Sequence, residues 1–268
     1  MQFALIVAAL VAGVVVTQDP APGWLAYATA QCPAGTRITH MEAKWLVGQN
    51  PPQSFAFFSP WFGIDTTDNL NLLQPVNPWL GTSWSMYTEY YQWSPTHNKD
   101  SAQYSVNAGD QLFGQITFNG ESEQSYTLKQ TDVTSGQTSE MVIPVQVGSD
   151  GQHKNYTVQY IVYEKVAQCN QYPPDQKVVF NDIKVFCNGV QVAPQWTTGI
   201  VENVCDFKAT PVSSSQVEIT WNIDGVPPTQ KQLERAATSA IYKNNRIDHV
   251  AMNRAIKKEM NIMKEKTN

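Results

Sequence analysis

The sequence predicts an all-β sandwich or barrel, and three observations carry that prediction. Between Arg37 and Trp221, β-branched and aromatic runs are broken at short, regular intervals by clusters of Gly, Pro, Asn, Asp and Ser, the rhythm of strands and turns. Charged residues make up only 15% of the chain while aromatics reach 11%, with 8 Trp and 11 Tyr; an average soluble protein carries about 25% charge, so disordered, coiled-coil and highly charged helical classes are excluded. No self-similarity at a fixed period is present, which excludes a propeller or solenoid. At 268 residues the chain has enough length for a substantial core, in one large domain or two small ones.

In chain order, Phe3 to Val16 is an apolar run of signal-peptide length, too short to span a bilayer. Residues 1–17 are therefore read as a signal peptide, and no later segment is a membrane-span candidate. Strands are expected at Phe55 to Ile64, Gln111 to Phe118, Thr138 to Val147, Tyr156 to Val166, Lys177 to Cys187 and Gln216 to Trp221. Turns are expected at Asn107-Ala108-Gly109-Asp110, Asn119-Gly120, Ser135-Gly136 and Asn188-Gly189.

Period-two alternation divides each strand into two faces. In the Tyr156 strand, Tyr156, Val158, Tyr160, Val162 and Glu164 read as the core face, and Thr157, Gln159, Ile161, Tyr163 and Lys165 as the wetter one. From Tyr87 to Trp93, one side carries Tyr87, Glu89, Tyr91 and Trp93, and the other Thr88, Tyr90 and Gln92. Both sides are aromatic, which suits an inner strand that also lines a groove. After Trp221, Asp224-Gly225-Val226-Pro227-Pro228 reads as a linker, and Thr229 with Gln232 has capping-box spacing before a helical tail.

Cys32, Cys169, Cys187 and Cys205 show no zinc-type spacing, and an even count behind a signal peptide reads as two disulfides with three possible pairings. Asn155-Tyr156-Thr157 is an N-glycosylation sequon at Asn155. Residues 1–224 carry 9 Lys and Arg against 19 Asp and Glu, a net −10, whereas residues 225–268 carry 9 against 4, a net +5. An acidic, aromatic body argues against nucleic acid as partner. His40, His97, His153 and His249 are scattered, with no pair at metal spacing. Asp65-Thr66-Thr67-Asp68-Asn69 reads as a solvated turn with Asp65 bonded locally rather than as a calcium loop. No metal or cofactor is expected.

The run Trp61-Phe62-Gly63-Ile64-Asp65, then Leu72-Leu73-Gln74, Tyr90-Tyr91-Gln92-Trp93-Ser94-Pro95 and Val106-Asn107-Ala108-Gly109-Asp110 resembles, in order and spacing, the eqolisins, the glutamic peptidase family of secreted acid proteases. The resemblance continues through Tyr160-Ile161-Val162, Phe180-Asn181-Asp182 and Cys205 to Trp221, and covers roughly Thr36 to Asn222. It implies a two-sheet antiparallel β-sandwich of concanavalin type with a concave groove; the sandwich is assigned to residues 24–222, and the linker and basic helical tail read from the residues to 223–268.

The resemblance also implies a catalytic Gln/Glu pair, in which a carboxyl group activates water and donates a proton while the Gln amide stabilises the oxyanion. Gln74 falls on the Gln position and Trp61 on its flanking aromatic. The family Glu position, aligned through Tyr160-Ile161-Val162, is occupied by Tyr163; Glu164 is one residue later and reaches the groove only through a β-bulge. Two further family acids fall on Thr88 and Gln92. The reading that follows is a secreted, degenerate glutamic peptidase acting as a binding or structural protein, with a peptide or glycan in a groove lined by Trp61, Asp65, Gln74, Thr88, Gln92 and Tyr163. The alternatives are an active acid endopeptidase using Gln74 with Glu164, and a carbohydrate-binding cell-surface or wall component.

Overall fold

A computed structural model describes residues 23–52, 56–67, 71–92 and 97–243. The expected signal peptide, Asp68-Asn69, Trp93 and the tail beyond Lys243 lie outside the described residues. Two antiparallel sheets face each other. Along the first, neighbouring strands are Thr197–Ile200, Trp24–Gln31, Val158–Glu164, Phe57–Asp65, Asn71–Val76, Trp84–Gln92 and Trp79–Leu80. Along the second they are Thr138–Pro144, Ser125–Asp132, Gln111–Phe118, Ile38–Leu46, Lys177–Cys187, Gln216–Thr220 and Lys208–Ser213. The architecture is the sandwich that the resemblance implies.

The main core lies between the sheets. Phe58, Phe62 and Ile64 from one strand join Leu73, Met86, Tyr90, Ile161 and Tyr163 from other strands of the same sheet and Met41, Trp45, Ile116 and Phe180 from the opposite sheet. Such continuous burial of large side chains supplies most of the driving force, at roughly 1.5–3 kcal/mol for each fully buried Leu, Ile or Phe. Two disulfides, Cys32–Cys187 and Cys169–Cys205, close loops of sequence separation 155 and 36. The first ties the end of a first-sheet strand to the end of a second-sheet strand.

A second, smaller apolar cluster sits on the outer face of the first sheet. Trp24, Trp61, Leu72, Val76, Tyr91 and Val162 form it, with Tyr27, Tyr87, Tyr160 and Val201 packed against them. This reverses the expected faces of the Val158–Glu164 strand. Ile161 and Tyr163 point into the core, where the Tyr163 ring lies 5.0 Å from Trp221 and 5.1 Å from Phe207, whereas Tyr160, Val162 and Glu164 alternate onto the outer face. Both faces of this strand are apolar, so periodicity alone does not say which is inner.

The helix Gln230–Lys243 begins at the expected capping box: the Gln232 N–H donates to Thr229 Oγ1 at 3.3 Å, and the Thr229 N–H to Gln232 Oε1 at 2.9 Å. Gln232 Nε2 also donates to Glu202 Oε2 at 2.9 Å, and Leu233 packs against the main core. Among the described residues, no helix is long and apolar enough to cross a membrane.

Candidate functional site

The hairpin that builds the site runs down Asn71–Val76, turns at Gly81-Thr82 and returns along Trp84–Gln92. Gly81 adopts φ +86°, and the Leu80 N–H donates to the Ser83 carbonyl across the tip. Residues equidistant from that tip are paired, so Trp79 meets Trp84 and Gln74 meets Glu89. Gln74 lies two residues from both Leu72 and Val76, and Glu89 two residues from both Tyr87 and Tyr91, all of the outer cluster, so both project from the outer face.

Gln74 Nε2 donates to Glu89 Oε2 at 2.5 Å, and Asn98 Nδ2 donates to Glu89 Oε1 at 2.7 Å. The pair is buried: Gln74 is 0% exposed and Glu89 3%. Hydrogen bonds to a charged group contribute about 1.5–3 kcal/mol each, enough to hold this carboxylate in one place. Gln74 Oε1 and Trp61 Nε1, also buried, have no hydrogen-bond partner.

Across the sheet, one row reads Tyr160, Gly63, Gln74, Glu89, Asp100. Gly63 is required there. A Cβ on it would lie 2.7 Å from the Leu73 carbonyl oxygen and 3.1 Å from Gln74 Cβ, so only the absent side chain lets the strands approach with Gln74 between them. The adjacent row carries Val162, Trp61, Val76 and Tyr87. Burial pushes the Tyr87 hydroxyl well above its usual range, and Glu89, Asp100 and Glu164 push it further the same way. Burial and then Asp65 push Tyr160 up to about 12.

Glu164 is on this outer face without a bulge toward its neighbour, since Val158–Glu164 pairs with Phe57–Asp65 in unbroken register. It is not beside Gln74. Its partner is Ser59, whose Oγ donates to Glu164 Oε1 at 3.3 Å, and Lys165 Nζ lies 3.9 Å from Oε2. Ser59 is four residues along from Gly63, which is about 13 Å of strand.

The remaining sequence-derived site residues separate as follows. Trp61 accompanies Gln74 on the outer face. Asp65 is turned to the loop, where its Oδ1 accepts from the Thr66 and Asn71 N–H groups at 2.7 and 2.8 Å, the local bonding expected of it. Tyr163, expected in the groove, is in the core instead, because it alternates with the outer-face Val162 and Glu164. Thr88 lies on the inward face with Met86 and Tyr90, its N–H donating to Ser101 Oγ, and Gln92 Oε1 accepts from the Tyr90 hydroxyl at 2.6 Å. Neither meets Gln74. Asn155 of the sequon is exposed and borders a polar cavity of about 200 Å³ between Thr66-Thr67 and the 148–155 turn. Among the described residues, no group of three or more His, Cys, Asp or Glu is placed to hold a metal ion.

Sequence reasoning missed the Gln74–Glu89 contact, Asn98 and the place of Tyr160. The signal for the first was present: a hairpin centred on Gly81-Thr82 pairs Gln74 with Glu89.

Comparison with known proteins gives a consistent result. A family model described as the peptidase A4 family matches residues 13–221. The solved structure of scytalido-glutamic peptidase with a transition state analog inhibitor is similar at 19% identity and TM-score 0.56, over 75% of this chain and 98% of that one. SCP-B, a member of the eqolisin family in a complex with the tripeptide Ala-Ile-His, is similar at 16% identity and TM-score 0.54 over the same shares. At such identities these structures establish the fold. Curated protein sequences give no match.

Proposed function

This chain belongs to the peptidase A4 family, the eqolisins, and on that premise we propose that the outer face of its first sheet is a groove that binds an extended peptide around Gln74 and Trp61. The observation that carries the reading is the pair of buried, unpartnered polar atoms on that face: Gln74 Oε1 accepts and Trp61 Nε1 donates, the complement of a peptide unit's N–H and C=O. A buried polar group without a partner costs about 1–3 kcal/mol, and a ligand backbone that satisfies both recovers it. The aromatic side chains around them supply apolar contact. Relatives of the same fold were solved with a transition state analog inhibitor and with a tripeptide, which supports a peptide over a glycan.

The protein is degenerate with respect to the pair expected from sequence. Gln74 and Glu164 belong to rows about four residues apart, and the row of Gln74 meets Tyr160 beyond Gly63. A secreted, disulfide-bonded protein fits the apolar amino-terminal run, the two disulfides and the exposed sequon at Asn155.

The test is calorimetric titration of the full chain with reduced and alkylated insulin B chain, and separately with a mixture of neutral oligosaccharides. Peptide binding that weakens about tenfold in Gln74→Ala, the equivalent of one lost hydrogen bond of about 1.4 kcal/mol, supports the reading. Saccharide binding without peptide binding, or peptide affinity indifferent to both Gln74→Ala and Trp61→Phe, overturns it.

A further inference from the structure

We propose that the polar cavity beside Asn155 seats the first N-acetylglucosamine of a glycan carried on Asn155 Nδ2, and that this sugar clamps the 148–155 turn to the Thr66-Thr67 loop. The inference rests on the secretory reading given above, which supplies the glycan, and adds a defined place for its first sugar.

The sequon is held rigidly where the glycan attaches. Tyr156 is 1% exposed, with its ring 5.0 Å from Tyr126 in the main core. The Tyr156 carbonyl accepts from the Ile38 N–H at 2.8 Å, the Thr157 N–H donates to the Asp65 carbonyl at 3.0 Å, and the Thr157 carbonyl accepts from the Cys32 N–H at 2.8 Å. Asn155, one residue earlier, is exposed and borders the cavity, so its side chain reaches solvent from a fixed backbone. Its amide nitrogen carries two hydrogens. One is directed to the Thr36 carbonyl at 3.5 Å, and the other is the one that an N-linked sugar replaces.

The cavity matches a sugar in size and chemistry. Its volume of about 200 Å³ lies below the roughly 300–1,000 Å³ of sites for drug-sized ligands, a scale suited to a single sugar unit. Thr66 and Thr67 line it from one segment, and Asp150, Gln152, His153 and Lys154 from the other. These hydroxyl, carboxylate, amide, imidazole and ammonium groups supply donors and acceptors for ring hydroxyls and an acetamide.

The turn that forms one wall is built in advance by its own bonds. The Gly148 N–H donates to the Gln152 carbonyl and the Lys154 N–H to the Gln146 carbonyl, both at 2.8 Å, and the Gln152 N–H donates to Asp150 Oδ1 at 3.0 Å. Thr66 and Thr67 directly follow the end of the Phe57–Asp65 strand, so a sugar bonded to both walls fastens that end of the first sheet to the turn. Covalent attachment makes the seating intramolecular, at high effective concentration, and a few hydrogen bonds are then enough to hold the sugar in place.

The full chain is produced in a eukaryotic secretory host, and peptide mapping by mass spectrometry reads the occupancy of Asn155. Calorimetric Tm is then compared among the intact glycoprotein, the form trimmed by an endoglycosidase to one N-acetylglucosamine, and the variants Asn155→Gln and Thr157→Ala, which remove the sugar by different routes. Should either variant not be secreted, amidase removal of the whole glycan from the folded glycoprotein, set against Asn155→Asp, gives the same comparison. The expected result is an occupied Asn155, a trimmed form that keeps the Tm of the intact one within about 1 °C, and a fall of about 2–4 °C when the first sugar is lost. His153→Ala and Gln152→Ala are expected to lower Tm in the trimmed form and to leave it within about 1 °C in the Asn155→Gln background, because the coupling runs through the sugar.

Equal Tm with and without the first sugar, or a loss that accompanies trimming, overturns the seat. Equal effects of the cavity variants in both backgrounds also overturn it. An unmodified Asn155 in a secreted chain overturns the seat and leaves secretion standing, whereas a chain retained inside the cell overturns the secretory reading and the seat with it.

Discussion

Gln74 and Glu89 face each other across neighbouring antiparallel strands, joined by a 2.5 Å hydrogen bond from amide to carboxylate on a face otherwise covered by Trp, Tyr, Leu and Val. Most polar groups buried to this degree are hydrogen-bonded, and here the Gln74 amide N–H and the Glu89 carboxyl group satisfy each other. The bond closes one side of each group and leaves Gln74 Oε1 without a hydrogen-bond partner, which is the atom that the proposed peptide groove uses.

Gly63 is the first place to test that geometry. Gly63→Ala sets a methyl group against the Leu73 carbonyl and Gln74 Cβ, neither of which can retreat without moving a strand. A loss of about 1–3 kcal/mol is expected, read as a lower midpoint in urea. Peptide affinity is expected to fall with it, because Gln74 is displaced.

Tyr163 and Tyr160 are three residues apart in sequence and lie on opposite faces. Tyr163→Ala removes a ring packed among Phe58, Tyr172, Phe207 and Trp221, with an expected cost of about 3–5 kcal/mol. Tyr160→Ala, from the half-buried outer face, is expected to cost below about 2 kcal/mol. Tyr163→Phe is expected to be neutral or to stabilise by up to about 1 kcal/mol, since the buried Tyr163 hydroxyl has no partner to lose. Denaturant unfolding of the three variants ranks them, and equal losses in the two alanine variants would contradict the placement of the faces.

The Cys169–Cys205 bridge anchors the end of the sandwich to the linker, because the Cys205 N–H donates to the Val226 carbonyl. Replacing both cysteines by Ala is expected to cost about 2–4 kcal/mol. For a domain of this size that corresponds to a fall of roughly 6–12 °C in Tm, measurable by calorimetry.

Alkaline stability follows from the buried tyrosines. Burial, with Asp65 adding to it, raises Tyr90 and Tyr160 to about 12 from a usual 10. Above pH 10 the unfolded chain has released protons that the folded protein keeps, so the unfolded state binds fewer and stability falls with rising pH. The contribution is complete below pH 10 and is lost through about pH 12. The urea midpoint is therefore expected to hold up to about pH 10 and then drop, with a shallower drop in Tyr160→Phe.

Much of the fold was legible because its signals are local. The strands Gln111–Phe118 and Lys177–Cys187 have the bounds that their flanking turn residues predict. Asn188 and Gly189 both take positive φ at the expected hairpin, and Thr229 with Gln232 forms the expected cap. The site was less legible. Alternation placed Tyr87, Glu89 and Tyr91 on one face, but the partner of Gln74 depends on where the intervening hairpin turns, and a shift of one residue there exchanges every cross-strand neighbour.

By itself the sequence determined the all-β class, the family resemblance, the candidate Gln74 and Trp61, and the presence of four cysteines suited to two bridges, because composition, alternation and motif order are properties of the chain. Only the tertiary structure decided that Cys32 joins Cys187, that Tyr163 is core, and that Glu89 rather than Glu164 stands against Gln74. Those are questions of which apolar face turns inward and which strands become neighbours. Where both faces of a strand are apolar, that choice is settled by how the two sheets pack and not by any residue within the strand.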